Sequence, residues 1–215
     1  VEADESDGSF LFLSPKVAVV TNVEPDHLDH WKTFDKIEAA FVEFCELTKE
    51  RNGFAVICAD DEGGRNLILK AKDKGVKVIS YGTNSDSDLE ITNLKLGLPG
   101  PSFDVNFEGK NLGRIELKVL GLHNALNAAA ALCVGLGLGK DFNNLKNGIS
   151  KFTGTRRRFE FRGSADGIRV YDDYAHHPEE IKAVVSSLRK MYPGKKITGI
   201  FQPHLFSRTK DLAED

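Results

Sequence analysis

The chain has little that would tie it to an oxidising compartment, a membrane or a nucleic acid. Cysteine is scarce: Cys45, Cys58 and Cys133 are an odd number, far apart, each inside an apolar run. That pattern fits buried free thiols in a reducing cytosol, not a disulfide framework or a zinc site. No apolar run reaches the length a membrane span needs, and no basic-then-apolar leader opens the sequence. A formal charge of −3 creates no field that would gather polyanions, so neither nucleic acid nor an anionic membrane is an expected partner. Repeats and low-complexity tracts are missing, and so is a G-x-x-x-x-G-K-[ST] phosphate loop. The nearest stretch, "GLGLGKDF" (135–142), has the wrong order and lies at a helix end. The first residue is Val1 and the closing "DLAED" reads as the start of a helix, so we expect a piece of a longer protein.

What is present is an ordinary globular composition, 40% hydrophobic and 28% charged over 215 residues, enough for one or two domains with a real core. Short β-branched runs alternate with helical patterns. "KVAVVTN" (16–22), "GFAVICAD" (53–60), "VKVISYG" (76–82), "GIRVYDD" (167–173) and "KKITGIF" (195–201) suit strands of a parallel sheet covered on both faces. Phe34, Ile37, Phe41, Phe44 and Cys45 recur at helical spacing within 34–49, and 65–74 forms a second, more polar helix. Between Asp88 and Val119 the pattern predicts three antiparallel strands inserted beside the parallel sheet. "HNALNAAAALCVGLGL" and "FNNLKNGISKF" follow as helices. A fresh strand–helix–strand unit begins after "FTGTRRRFEF", with Pro178 in a first helical turn and Glu179 and Glu180 at the positive end of the dipole. The expected domains are 1–153 and 154–215, an α/β architecture throughout.

Ligands of open parallel sheets gather beyond the carboxyl ends of the strands. Three strand ends break into polar groups here: "VVTNVEPDHLDH", "RVYDDYAHH" and "IFQPHLFSR". Together they point to an active-site rim. Asp26, His27, Asp29 and His30 contain an i, i+3 histidine pair, but a zinc site wants three or four protein ligands, and alone this is a capped helix start. Mg²⁺ is less demanding, keeping waters and taking one or two protein ligands plus phosphate oxygens. Asn124 and Asn127 share a helical face, and N-capping explains only one of them. Arg156, Arg157 and Arg158 are either a surface basic cluster or the source of a late positive charge for phosphoryl transfer. "YDDYAHHPEE" is either a metal cluster or, as the local pattern favours, a helix cap over Tyr171 and Tyr174. A metal-dependent phosphohydrolase built on "DHLDH" and "DDYAHH", and a non-catalytic nucleotide-binding module, remain competing readings.

In this order, "EADESDGSF", "TNVEPDHLDHW", "GLHNALNAAAA", "GTRRRFEF", "DDYAHHPEEI" and "FQPHLFSRT" resemble the Mur ligases of bacterial cell-wall synthesis along nearly the whole chain. The resemblance implies a cytoplasmic enzyme of three domains, of which this chain holds most of the central ATPase and the opening of a Rossmann-like third. The implied branch joins L-alanine to UDP-N-acetylmuramate: ATP activates the lactyl carboxylate as an acyl phosphate, and the amine attacks. The near alternative is the ligase that recycles a murein tripeptide onto the same sugar nucleotide. Carried over by motif, Glu2 and His27 would bind Mg²⁺, Asn124 and Asn127 would lie near the base and ribose of ATP, and Arg158 would reach ATP. Asp173 would engage nucleotide, Tyr174 and His176 would line the ATP or alanine pocket, and His204 and Arg208 would grip the amino-acid carboxylate. His30 has no implied role. Two positions depart from the family pattern: Leu205 stands where members often carry Arg, and Ala175 where they carry Gly. No lysine is assignable as the carbamylated metal ligand that sister ligases use. Lacking a phosphate loop, the chain by itself is expected to be inactive.

Overall fold

The computed structural model describes residues 3–176 and 178–203. They divide into two compact units. The first runs through Asn93 and takes in Phe103–Ile115 and Leu126–Asn147; the second comprises Leu94–Ser102, Glu116–Ala125 and the described residues from Gly148 on.

In the first unit β1 (Val17–Val20), β2 (Phe54–Cys58) and β3 (Val78–Gly82) pair in parallel, with Val17 beside Phe54 and Ala55 beside Val78. All five residues of β2 are buried, as an unbroken apolar run between two neighbours requires. After β1 come the four-residue α1 (Leu28–Trp31) and the crossover helix α2 (Phe34–Leu47). α2 buries Ile37, Ala40 and Phe44, one stripe of a 3.6-residue period, into a core with Phe10, Ala18, Val20 and Ile57. The second crossover, α3 (Glu62–Asp73), starts three residues earlier than periodicity places it. Its N-cap is the reason: one Asp61 carboxylate oxygen accepts from Gly64 N at 2.6 Å and from Val23 N at 3.0 Å, fixing the helix start to the segment after β1.

The three later strands are not a separate insert. β4 (Leu89–Lys95), β5 (Ser102–Phe107) and β6 (Lys110–Glu116) continue the same sheet, whose order is β1 to β6 in sequence. β4 pairs in parallel with β3, only through Tyr81–Leu89 and Gly82–Glu90. Parallel neighbours normally need a crossover of a dozen or more residues; because only the strand ends overlap, a short loop suffices. Two acids hold that loop. Asp60 accepts from Thr83 N and Asn84 Nδ2, and Asp88 accepts from Ser80 N and Ser80 Oγ. β5 and β6 form a hairpin through Glu108 and Gly109, with φ of 50° and 76°, the primed turn that matches strand twist.

The helix α4 (Leu122–Gly137) and the shorter α5 (Phe142–Ile149) match expectation. In the second unit β7 (Glu160–Ala165) and β8 (Ile168–Asp172) form an antiparallel pair, followed by α6 (Pro178–Met191). Two expectations are corrected here. "GIRVYDD" supplies β8, but its partner is β7, a strand whose "EFRGSA" lacks an apolar run and so gives no pattern to find. "KKITGIF" forms no strand among the described residues, and Ile200 is fully exposed. A β-branched run is only half of a strand; it also needs a ladder partner, and the two described strands of this unit pair with each other. Among the described residues no helix is long and apolar enough to cross a membrane.

Candidate active site

The loop after β1 delivers His27 beyond the carboxyl end of the parallel strands. Asp26 Oδ1 accepts from His27 N at 2.7 Å, and His27 takes φ 53° before α1 begins. Trp31 of α1 donates from Nε1 to Glu5 O at 2.8 Å and so ties the amino-terminal acidic segment to this helix. The result sets the His27 ring between two carboxylates, with Nε2 3.4 Å from Glu5 Oε1 and 3.6 Å from Asp26 Oδ2. Asp4 and Asp7 are spent on their own loop. They accept from Ser6 and Ser9, whose side chains and backbone N–H groups hold both carboxyls below the usual range.

Glu2, the expected partner of His27, lies outside the described residues. Among those described, no group of three or more potential ligands converges as a metal site. One imidazole flanked by hard oxygens is the donor set for a cation that keeps most of its waters, which fits Mg²⁺ and not a dedicated zinc centre. His30 packs its ring edge-on to Trp31 at 4.9 Å.

The second group lies at the start of α4. Gly121 has φ +92°, and a Cβ there would stand 2.6 Å from His123 Cε1, so the bend and the missing side chain together let the imidazole fold back. Asn124 Nδ2 donates to Leu120 O at 2.7 Å and lies 3.1 Å from His123 Nε2. Asn127, three residues on, is exposed. Burial pushes the His123 imidazole below its ordinary pKa; the Asp173 carboxylate opposes this and the Arg158 guanidinium adds to it. Sequence reasoning missed His123. Within "HNALNA" only the paired asparagines give a spacing signal, and a lone histidine beside them gives none.

The third group draws together Arg158, Asp173, Tyr174 and His176. Asp173 fastens two turns: Oδ2 accepts from Phe159 N at 2.6 Å and Oδ1 from Ala175 N at 2.7 Å. Phe159 is held at φ 50°, costly for a bulky side chain, while its ring is buried against Tyr171 and His123. Tyr174 N donates to Arg157 O at 2.8 Å, and the Arg157 guanidinium stacks over the Tyr174 ring at 4.7 Å. His176 N donates to Glu180 Oε2 at 2.9 Å, and the other Glu180 oxygen lies 3.7 Å from the Arg158 guanidinium. Ala175 is not among the residues with positive φ, so this turn does not require a glycine.

A cavity of about 580 Å³ in the same unit is lined by Lys118, Arg158, Phe159, Arg169 and Tyr171 among others. Cationic groups on an aromatic wall suit an anionic ligand with a flat ring. At its edge the Tyr171 and Tyr192 hydroxyls meet at 2.5 Å, and burial raises the Tyr171 phenol's pKa. His204 and Arg208 lie outside the described residues.

A parallel sheet with a polar rim at its strand ends is followed in the chain by a second α/β unit, and the chain belongs to the Mur ligase family. The Mur ligase middle domain matches residues 2–135, and the Mur ligase glutamate ligase domain matches residues 157–215. The UDP-N-acetylmuramate–L-alanine ligase of Aquifex aeolicus is 47% identical over 214 residues, which is 100% of this chain and 46% of that protein. The crystal structure of the UDP-N-acetylmuramate–alanine ligase MurC from Thermotoga maritima superposes with a TM-score of 0.78 at 28% identity, covering 98% of this chain and 46% of that one. The MurF ligase of Thermotoga maritima, solved in complex with ADP, shares the fold at 23% identity and a TM-score of 0.69, over 84% of this chain and 40% of its own. The chain thus spans less than half the length of these relatives.

Proposed function

We propose that the protein carrying this chain joins L-alanine to UDP-N-acetylmuramate at the expense of ATP, through an acyl phosphate, in peptidoglycan synthesis. The observation that carries this reading is the 47% identity to a ligase of that name along 100% of the chain, through both matched domains. ATP and Mg²⁺ are the implied cofactors.

His27, with Glu2, would hold the Mg²⁺, and Glu5 and Asp26 stand beside it as hydrogen-bond acceptors for its waters. When bound, that ion neutralises phosphate oxygens. Asn124 and Asn127 lie at the start of α4, where uncharged amides discriminate donors from acceptors on a base or ribose. Arg158 supplies a permanent positive charge, with Glu180 as a loose anchor 3.7 Å away. In this reading Asp173 acts through the two turns it fastens, keeping Arg158 and Tyr174 in place. His176, His204 and Arg208 are assigned to the amino-acid side of the site.

The test is phosphate release by the full-length protein. Release that requires ATP, UDP-N-acetylmuramate and L-alanine together, with the amide product detected by mass, is the expected result. Acceptance of a murein tripeptide in place of L-alanine, or hydrolysis without any amine, would overturn it. In that protein His27→Ala is expected to lower the rate by more than about 100-fold, as loss of a metal ligand does, with partial recovery at raised Mg²⁺; an unchanged rate removes His27 from the metal. The 215-residue chain alone is expected to release no phosphate.

A further inference from the structure

We infer that His123 is a positioning residue that locks the Asn124 amide so that only its oxygen faces a ligand, making this position a reader of hydrogen-bond donors such as the exocyclic amine of an aminopurine. The inference rests on the proposal that Asn124 lies at the nucleotide base. The orientation itself follows from two contacts. Leu120 O can only accept, and it stands 2.7 Å from the Asn124 amide, so the atom facing it must be the nitrogen; the flipped amide would set two oxygens together. With the nitrogen placed, its second hydrogen points at His123 Nε2, 3.1 Å away. Nε2 must therefore be the lone-pair nitrogen, and the ring is the neutral Nδ1–H tautomer.

Both amide hydrogens are then committed, and Oδ1, to which no described residue donates, is left to meet a donor. The surroundings favour the neutral ring. His123 is packed against Phe159 with ring centroids 6.3 Å apart, and burial lowers its pKa. Of the charged groups facing it, the Asp173 carboxylate favours a proton on the ring and the Arg158 guanidinium disfavours it. A protonated His123 would turn Nε2 into a donor aimed at the amide's own N–H. The amide could then satisfy only one of its two neighbours, and the selection for a donor would be lost. Gly121 belongs to the same device, because a Cβ there would displace the imidazole.

Two measurements on the full-length protein test this. In protein labelled with 15N-histidine, the His123 ring, assigned by the signal missing from His123→Gln, is expected to carry its proton on Nδ1 at neutral pH. A proton on Nε2, or on both nitrogens, overturns the assignment without any reference to nucleotide. The second is the ratio of kcat/KM for ATP over ITP, which differ in a donor or an acceptor at the same ring position. Gln at this position places an acceptor near that of Nε2 and Asn does not. His123→Gln is therefore expected to keep the ratio, while His123→Asn lowers it about three- to tenfold, the worth of one hydrogen bond, through KM and not kcat. Equal loss in both variants, or none in His123→Asn, overturns the positioning role. Asn124→Ala leaving the ratio unchanged, with the Nδ1–H tautomer observed, instead overturns the placement of Asn124 at the base.

Discussion

Two histidines of this chain have opposite surroundings. His27 stands one-quarter exposed between carboxylates at 3.4 and 3.6 Å, beyond good hydrogen-bond distance, with its ring nitrogen open to an arriving ligand. His123 is largely enclosed, folded over a glycine, and its ring nitrogen is spent on Asn124. The first is arranged to bind something from outside, the second to fix the aim of a neighbour. The units around them differ in the same sense. The five residues of β2 are buried without exception, whereas β8 leaves Ile168 at 68% and Val170 at 53% exposed.

The contrast in burial breaks first under truncation of the core. Ile57→Ala removes three carbons from a fully enclosed site and is expected to destabilise the protein by about 3 kcal/mol, while Ile168→Ala should stay within about 0.5 kcal/mol. Urea denaturation of both variants decides it, and equal losses would show that β8 is covered in solution. Gly121→Ala comes next. The new Cβ meets His123 Cε1 at 2.6 Å on a backbone at φ +92°, a combined strain of about 1–3 kcal/mol. Thermal melting reads the loss, and the histidine tautomer signal should change with it. Asp61→Ala removes the cap shared by Gly64 and Val23 and is expected to cost about 1 kcal/mol by the same melts, affecting the unit of His27 and not that of His123.

How far the sequence alone reaches follows the same division. β1, β2, β3 and α2 could be read because burial on both sides writes itself as continuous apolar runs and a helical stripe. β7 could not, since a half-exposed strand of charges and glycines carries no period, and β8 gave its existence but not its partner. For the candidate site, it was the resemblance to the Mur ligases, not residue type or spacing alone, that singled out Arg158, Asp173, Tyr174 and His176. That resemblance could not show that Asp173 uses both oxygens on backbone N–H groups, because those donors come from turns whose geometry has no composition signature. His123 was overlooked for a related reason: its role depends on the direction of Leu120 O, which no pattern of side chains encodes.

The smallest expected effect is a pH dependence set by the enclosed ring of His123. The folded His123 pKa lies below that of an unfolded histidine, ordinarily about 6.5. Above the unfolded value both states are neutral at this residue, and its contribution to stability is complete. As pH falls below about 6.5 the unfolded chain takes up a proton that the folded state refuses, so stability declines until the folded pKa is passed. His123→Gln should remove that part of the slope of unfolding free energy against pH, measured by urea titration across mildly acidic buffers. If the His123 variant keeps the full slope, that imidazole is already as accessible to protons as one in the unfolded chain, and the enclosed surroundings described for it are absent in solution.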